Sequence, residues 1–269
     1  MKNDTESPRG LDSLELGIPL ANPDWVLAHF TLAADLTTLR GECRFAHVGE
    51  TVVAHYGGLP FAALAFLGED PAQLASLAAQ LVAPDEAFYL LLNGRQKSLA
   101  ERAFVVEHIQ PEWQMQFTGD ATTLDLGGAV SLEPQDLRPM QDLAKNAGLT
   151  ALETDPFRHG PAFGVWERGQ LAAMAATRLL VAGAAEIGNI TTRTTHRRRG
   201  LARQAIAALV QVHAAQGRRV FLMVYQTNRA AARLYEGLGF ERVRPMFLLR
   251  CRLVIEERNQ VFRKKPGFF

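Results

Sequence analysis

Between Glu186 and Gly217 the chain changes character in a way that leaves few folds open. A strand-forming run, Glu186 to Thr192, gives way to a short basic loop, Thr194 to Gly200, which holds Arg197, Arg198 and Arg199 in succession. Leu201, Ala205, Ala208, Leu209 and Val212 then fall at helical spacing until Gly217 stops the helix. A helix that begins at a glycine behind a basic loop presents unpaired backbone N–H groups and the positive end of its dipole to whatever lies beyond. Gly200 and Ala202 let an anion approach the backbone closely. The arginines add charge and forked donors. The arrangement predicts a pyrophosphate cradle, and the absence of a following Gly-Lys-Ser/Thr separates it from the nucleotide P-loop.

The surrounding elements predict a mixed sheet. A Pro-initiated helix is expected from about Pro134 to Asn146, then strands at Ala162–Glu167, Leu171–Leu180 and Glu186–Thr192. Val220–Tyr225 is a continuous apolar strand suited to a sheet centre covered on both faces. A helix over Asn228–Leu238 and one or two strands in Phe240–Val254 complete the order. The fold class is α/β, with helices packed against the sheet.

The N-terminal half repeats this order more weakly. A helix near Pro23–Ala33 precedes strands at Arg44–Val48, Thr51–His55 and Phe61–Leu67. Helix Pro71–Leu81, strand Phe88–Leu92, helix Gln96–Arg102 and strands Phe104–Ile109 and Trp113–Phe117 follow. The repeat suggests an internal duplication, with an unrelated α/β domain as the alternative. The expected division is a loose tail over 1–15, a first domain over 16–125, a second over 130–255 and a C-terminal tail over 256–269, joined near Asp120–Ala129.

Composition narrows the partners. A net charge of +1 across 269 residues points to no bulk attraction for nucleic acid or membrane. Two cysteines, Cys43 and Cys251, without ligand spacing argue against a metal site or a disulfide framework and fit a cytoplasmic location. The polar first ten residues are not expected to form a signal peptide, and no apolar run reaches the ~18 residues of a membrane span.

Arg197-x-x-Gly200-x-Ala202 resembles the central Gln/Arg-x-x-Gly-x-Gly/Ala motif of the GCN5-related N-acetyltransferase family, and Asn228-x-x-Ala231-x-x-Leu234-Tyr235-x-x-x-Gly239-Phe240 resembles its downstream signature. The two motifs stand a helix and a strand apart, as that fold requires. The resemblance covers about Leu132–Val254 and is similar to the FR47-like, glycine-acyltransferase-like branch. It implies a chain that transfers an acetyl group from acetyl-CoA to a primary amine, of a small molecule or a peptide, without a covalent enzyme intermediate. It implies that the backbone of Ile190, Thr191 and Thr192 pairs with the pantetheine arm, and that an N–H near Ile190 polarises the thioester carbonyl. The amides from Arg198 through Arg199, Gly200, Leu201 and Ala202 to Arg203 would hold the pyrophosphate, with Arg197 beside them, and Asn228 would bond the pantetheine arm. Tyr235 would protonate the departing thiolate.

The general base is read from position alone. Glu186 begins the strand carrying the thioester site and alternates with Gly188 and Ile190, which makes it the first candidate; Glu153, Asp155, His159 and Glu167 are further ones. His196 could touch phosphate, and His213 reads as structural. In the first half, Gly68-Glu69-Asp70-Pro71-Ala72 stands where a duplicated domain should place its basic loop; two carboxylates and a proline without an N–H make a poor anion site. If the halves are duplicates, the first is degenerate and serves to shape the acceptor pocket, cap the sheet or dimerise. The competing readings are a non-catalytic CoA-binding regulator and a nucleic-acid module built on Arg193–Arg203. No aromatic residue interleaves those arginines, which counts against base stacking.

Overall fold

The computed structural model describes residues 17–149 and 156–254. The first half contains α1 (Pro23–Ala28), α2 (Phe30–Leu36), β1 (Cys43–Val48), β2 (Thr51–Tyr56), β3 (Ala62–Leu67), α3 (Pro71–Ala78), β4 (Phe88–Asn93), α4 (Gly94–Ala103) and β5 (Val105–Phe117). The second contains β6 (Ala129–Leu132), α5 (Leu137–Ala147), β7 (Ala162–Glu167), β8 (Gln170–Val181), β9 (Ala184–Thr192), α6 (Leu201–Ala215), β10 (Arg219–Tyr225), α7 (Arg229–Glu236) and β11 (Phe240–Arg252). The series from β1 to β5 and the series from β7 to β11 run in the same order, so the architecture is the α/β tandem that the sequence suggests.

All strands join one 11-stranded sheet, ordered β1-β2-β3-β4-β11-β5-β10-β9-β8-β7-β6. The centre holds an exchange. Each half lends its last strand to the other: β11 pairs with β4, and β5 pairs with β10. The two 13-residue strands β5 and β11 run antiparallel along nearly their full length, from Phe240↔Phe117 to Arg252↔Val105. The sheet is therefore continuous across the join expected near residues 120–129, where a short 3-10 turn, Ala121–Thr123, leads into β6.

Apolar positions sort the helices onto two faces. Leu74, Leu77 and Leu99 of α3 and α4 bury against Phe66, Leu90 and Leu249. Ile206, Leu209 and Val210 of α6 bury against Ile187, Leu222 and Val224, joined by Tyr235 and Leu238. On the opposite face Phe30 of α2 meets Phe221 of β10 edge-on, with ring centroids 5.0 Å apart. That pair joins an N-terminal helix to a C-terminal strand. Helix α5 covers β7 and β8 on this same outer face through Met140 and Leu143.

Several boundaries moved from their expected places for identifiable reasons. The helix expected over Pro23–Ala33 breaks at His29, whose backbone lies at φ −130° and ψ 33°. Strands expected at Phe104–Ile109 and Trp113–Phe117 are one, because Gln110 and Pro111 stay extended when paired to Leu248 and Phe247. Of the one or two strands expected in the C-terminal segment, one forms, β11. Glu133 and Asp136 cap a 3-10 turn ahead of α5, so the α-helix begins at Leu137, later than its proline. Gly148, at φ 72°, ends α5 in the left-handed region, as the stop signal requires.

Candidate active site

Strands β9 and β10 are parallel and pair only over Ala184–Glu186 with Arg219–Phe221. Beyond Glu186 they diverge, so Ile187–Thr192 and Leu222–Tyr225 form the two walls of a notch whose facing backbone edges are not bonded to each other. A second feature marks the β9 wall. Asn189 sits at φ 49°, and the β8 pairing slips from Ala176↔Gly188 to Met174↔Thr191. This is a β-bulge: one extra residue re-aims the backbone groups around it. It also corrects the expected alternation. Ile187 and Ile190 both pack with the α6–β10–α7 core, so Ile190 does not share a face with Glu186. The backbone at Ile190–Thr192, expected to meet the pantetheine arm, does line the notch.

Past Thr192, Arg193 donates to Leu171 O, and Arg197 turns back so that its Nε lies 3.4 Å from Thr192 O. Arg198 at φ 62° and Gly200 at φ 77° curl the loop into the start of α6. Helix α6 has Gly200 as its N-cap, with no side-chain cap and no acidic residue in its first turn. Its first amides, from Leu201 to Arg203, therefore face outward with nothing from Gly200 to satisfy them, and a Cβ at Gly200 would meet no atom within 4 Å. This cradle fits a pyrophosphate: uncapped donors, the helix dipole and a flanking cation. Arg199 is committed elsewhere; its Nη1 lies 2.5 Å from Glu167 Oε2, with His196 Nε2 3.6 Å from the same oxygen. Glu167 thus sits on the loop side, paired, and away from the buried carboxylates described below. Arg203 donates to Gly237 O at 2.7 Å and ties the first turn of α6 to the end of α7.

Asn228 caps α7, its Oδ1 accepting from Ala231 N at 3.1 Å, which leaves its amide NH2 for another partner. Tyr235 lies two turns on and is 6% exposed, with its ring 6.1 Å from Phe240. Burial pushes its phenol up to about 12, so the group holds its proton at neutral pH.

On the opposite face of the sheet lies an acidic centre. Glu186, the last residue of β9 paired with β10, is buried. Its Oε1 is 3.6 Å from Arg178 Nη1, and Arg178 reaches it across Gly188, where any Cβ would collide with the arginine's aliphatic stem. Burial raises the Glu186 carboxyl above the ordinary range, while Arg178 and His159 oppose that shift. His159 is buried beside it. A second carboxylate, Glu112, was not singled out from the sequence. It pairs with Tyr225 on one side and Met246 on the other, is 6% exposed, and is pushed up to about 7 by burial first and by the Glu186 charge second. Its signal was present: Glu112, Gln114 and Gln116 alternate with Trp113 and Met115, a polar stripe on a strand at a sheet centre. What the sequence lacked was the strand exchange that sets this stripe beside β10.

His213 is fully buried in α6, with Nε2 2.9 Å from Thr177 Oγ1, and burial lowers it to about 4; it is a core hydrogen-bonding group, as expected. Glu153 and Asp155 lie outside the described residues. No group of metal-ligating side chains occurs among the described residues, and no helix there is long and apolar enough to cross a membrane.

Residues 162–248 match the model of the FR47-like protein family. The C-terminal half carries this FR47-like segment and is similar in fold to the GCN5-related N-acetyltransferases (GNAT). The solved structures agree over a longer span. A GNAT-family protein from Novosphingobium aromaticivorans is 26% identical, with a TM-score of 0.66, covering 85% of this chain and 99% of its own. A GCN5-related N-acetyltransferase from Kribbella flavida is 18% identical, with a TM-score of 0.62, covering 85% and 96%. A tandem GNAT protein from the clavulanic acid biosynthesis pathway is 14% identical, with a TM-score of 0.62, covering 92% and 97%. No curated protein matches the sequence. The notch, the bulge and the uncapped start of α6 lie within the matched segment, and the fold is one associated with acyl transfer.

Proposed function

We propose that the protein transfers an acetyl group from acetyl-CoA to a primary amine by direct attack. The observation that carries this reading is the alignment of three features along one line: the open β9–β10 notch, the bulge at Asn189 and the uncapped N-terminus of α6. A thioester with two amides and a pyrophosphate in its handle needs these in this order. The amides would pair with the free edge at Ile190–Thr192, the thioester carbonyl would meet a re-aimed N–H near the bulge, and the phosphates would sit on the amides from Arg198 to Arg203. Arg197 and Arg198 add positive potential, and the Asn228 amide would bond the pantetheine arm. Tyr235 supplies the proton that the thiolate takes as the C–S bond breaks.

The acceptor amine would enter from the face of the Glu112–Glu186 pair, where buried carboxylates favour a cationic guest. The N-terminal unit, 16–125, would then act as the wall of a site owned by the 130–255 unit. The alternative of a CoA-binding regulator predicts binding without turnover. The test is release of free thiol from acetyl-CoA in the presence of a panel of primary amines, with acetylated product confirmed by mass. Amine-dependent thiol release supports the reading. Tight acetyl-CoA binding with no release for any amine favours the regulator, and salt-dependent binding to DNA or RNA without acetyl-CoA binding would favour the nucleic-acid module.

A further inference from the structure

The strand exchange puts a residue of the N-terminal half inside the C-terminal site. Glu112 belongs to β5, yet β5 pairs with β10 through Tyr225↔Glu112 and Phe221↔Gln116, in the position next to the notch wall. Residues directly opposite on an antiparallel pair share a face, and three registers place the side chain. Glu112 lies opposite Tyr225, it lies opposite Met246, and Phe221, four residues before Tyr225 on β10, lies opposite Glu186 on β9. Glu112 and Glu186 therefore look out from the same face, on either side of β10. Met246 and Phe221 on that face pack under α2, which confirms the side.

The two carboxylates differ in their company. Glu186 has Arg178 at 3.6 Å and His159 near it. The Glu112 carboxylate accepts no hydrogen bond and joins no ion pair among the described residues, although the residue is 6% exposed. The groups that face it are Glu186 from β9, Arg178 from β8 and the Tyr225 phenol from β10. Its β11 neighbour is the apolar Met246, and towards α1 the next group along β5 is Gln114, which donates to Leu27 O. The residue is deep, yet its carboxylate oxygens are not among the buried side-chain atoms that lack a partner, so they remain reachable, and an ammonium group entering the notch from this face would be a fitting donor.

Resting on the acyl-transfer reading, we infer that Glu112 is the proton acceptor for the attacking amine, delivered to the C-terminal site by the other half of the chain. The ammonium gives its proton to the Glu112 carboxylate. The neutral nitrogen attacks the thioester carbon, the new N–C bond forms and the C–S bond breaks. The thiolate takes a proton from Tyr235, and the nitrogen's second proton leaves to solvent, which reprotonates Tyr235; Glu112 releases its own proton to solvent to close the cycle. Burial, with the Glu186 carboxyl behind it, keeps Glu112 basic enough for this role.

The experiment measures acetyl-CoA thiol release with ethylamine, glycine and Nα-acetyl-lysine as amine probes, across pH 5.5 to 9, beside acetyl-CoA affinity by titration calorimetry. In the wild type, kcat should rise with pH and level off above about 7, the value to which Glu112 is pushed. Glu112→Gln should lower kcat about a hundredfold and abolish that rise, with acetyl-CoA affinity within twofold of wild type. Glu107→Gln, on the same strand but exposed and paired with Arg250 and Arg252, should behave as wild type. A Glu112→Gln protein that keeps activity within threefold and keeps the pH rise overturns the inference. So does one that loses acetyl-CoA binding or cooperative melting, which would make Glu112 structural. Loss of the rise in Glu186→Gln alone would move the role to Glu186. A wild type that binds acetyl-CoA but releases no thiol with any probe overturns the acyl-transfer reading itself, and the role of Glu112 with it.

Discussion

Helices α3 and α6 occupy equivalent places in the two halves, each following the strand that forms one wall of a notch, and they begin in opposite ways. At α3, Asp70 accepts from Ala72 N at 2.8 Å and Gln73 N at 3.4 Å, and Pro71 has no N–H to offer. At α6, Gly200 has no side chain and the equivalent amides are left open. The notches differ in the same sense. Strands β3 and β4 also pair over only three residues, Ala62–Leu64 with Phe88–Leu90, and then diverge. The space beyond is bridged from within: Gln96 of α4, which follows β4, donates to Phe66 O of β3 at 2.9 Å. One fold thus appears twice, once with its helix-end amides capped and a side chain reaching across its notch, and once with both left open. A capped helix gains about 1 kcal/mol, and an uncapped one keeps a binding site; a duplicated chain has room for one of each.

The comparison can be broken most severely at the contact that binds the halves. If they form one cooperative unit, Phe30→Ala, which empties the edge-on contact with Phe221, should cost 3–5 kcal/mol of stability, on the order expected for a buried aromatic, and calorimetry should still show a single transition. Two separate transitions, with only one shifted, would mean that the halves fold independently despite the shared sheet.

A second effect reads the half that crosses over. Glu112 has an ordinary value of 4.5 and is pushed up to about 7 in the folded protein. A folded state that holds a proton more tightly than the unfolded chain gains stability that is fully present below about pH 4.5 and is lost as pH rises to about 7. Glu112→Gln removes that loss. The variant should exceed wild type by up to about 3 kcal/mol at pH 8 and differ least near pH 4.5, measured by denaturant titration at both pH values. An equal shift at both would mean that the carboxyl is not held up by burial.

Tyr235→Phe sharpens the claim that only the C-terminal notch does chemistry. It should lower kcat about a hundredfold, equivalent to ~2.7 kcal/mol in the barrier, with acetyl-CoA affinity unchanged. Unaltered turnover would leave the phenol a packing group. The smallest effect belongs to the closed site: Asp70→Ala should cost about 1 kcal/mol through loss of the α3 cap and leave acetyl-CoA affinity untouched. Any change in affinity would place ligand at the wrong helix.

Much of this was legible in the sequence because it is local. The loop from Thr194 to Gly200, the stop at Gly217 and the unpromising Glu69-Asp70-Pro71 depend on neighbours within one turn, and propensity and capping rules read them directly. The bulge at Asn189 was hidden, since nothing in Gly188-Asn189-Ile190 states which strand it must stay in register with, and strict alternation gave Glu186 the wrong companion. Glu112 was hidden for a larger reason. Its polar stripe is visible, but a strand's partner is a long-range fact, and here the partner belongs to the other half. The salt bridge between Arg199 and Glu167 is of the same kind, joining residues 32 positions apart.

The most direct measurement titrates acetyl-CoA into the wild-type protein and into Ala202→Asp by calorimetry. An aspartate in the first turn of α6 suits the helix dipole, so the variant should melt no lower than wild type, yet its charge would meet the pyrophosphate. Micromolar binding by the wild type, weakened at least about a hundredfold in a variant of undiminished stability, is the expected result, corresponding to ~2.7 kcal/mol. Equal binding by both proteins, or none by the wild type, would contradict the assignment of the open helix end as the site that holds the acyl donor.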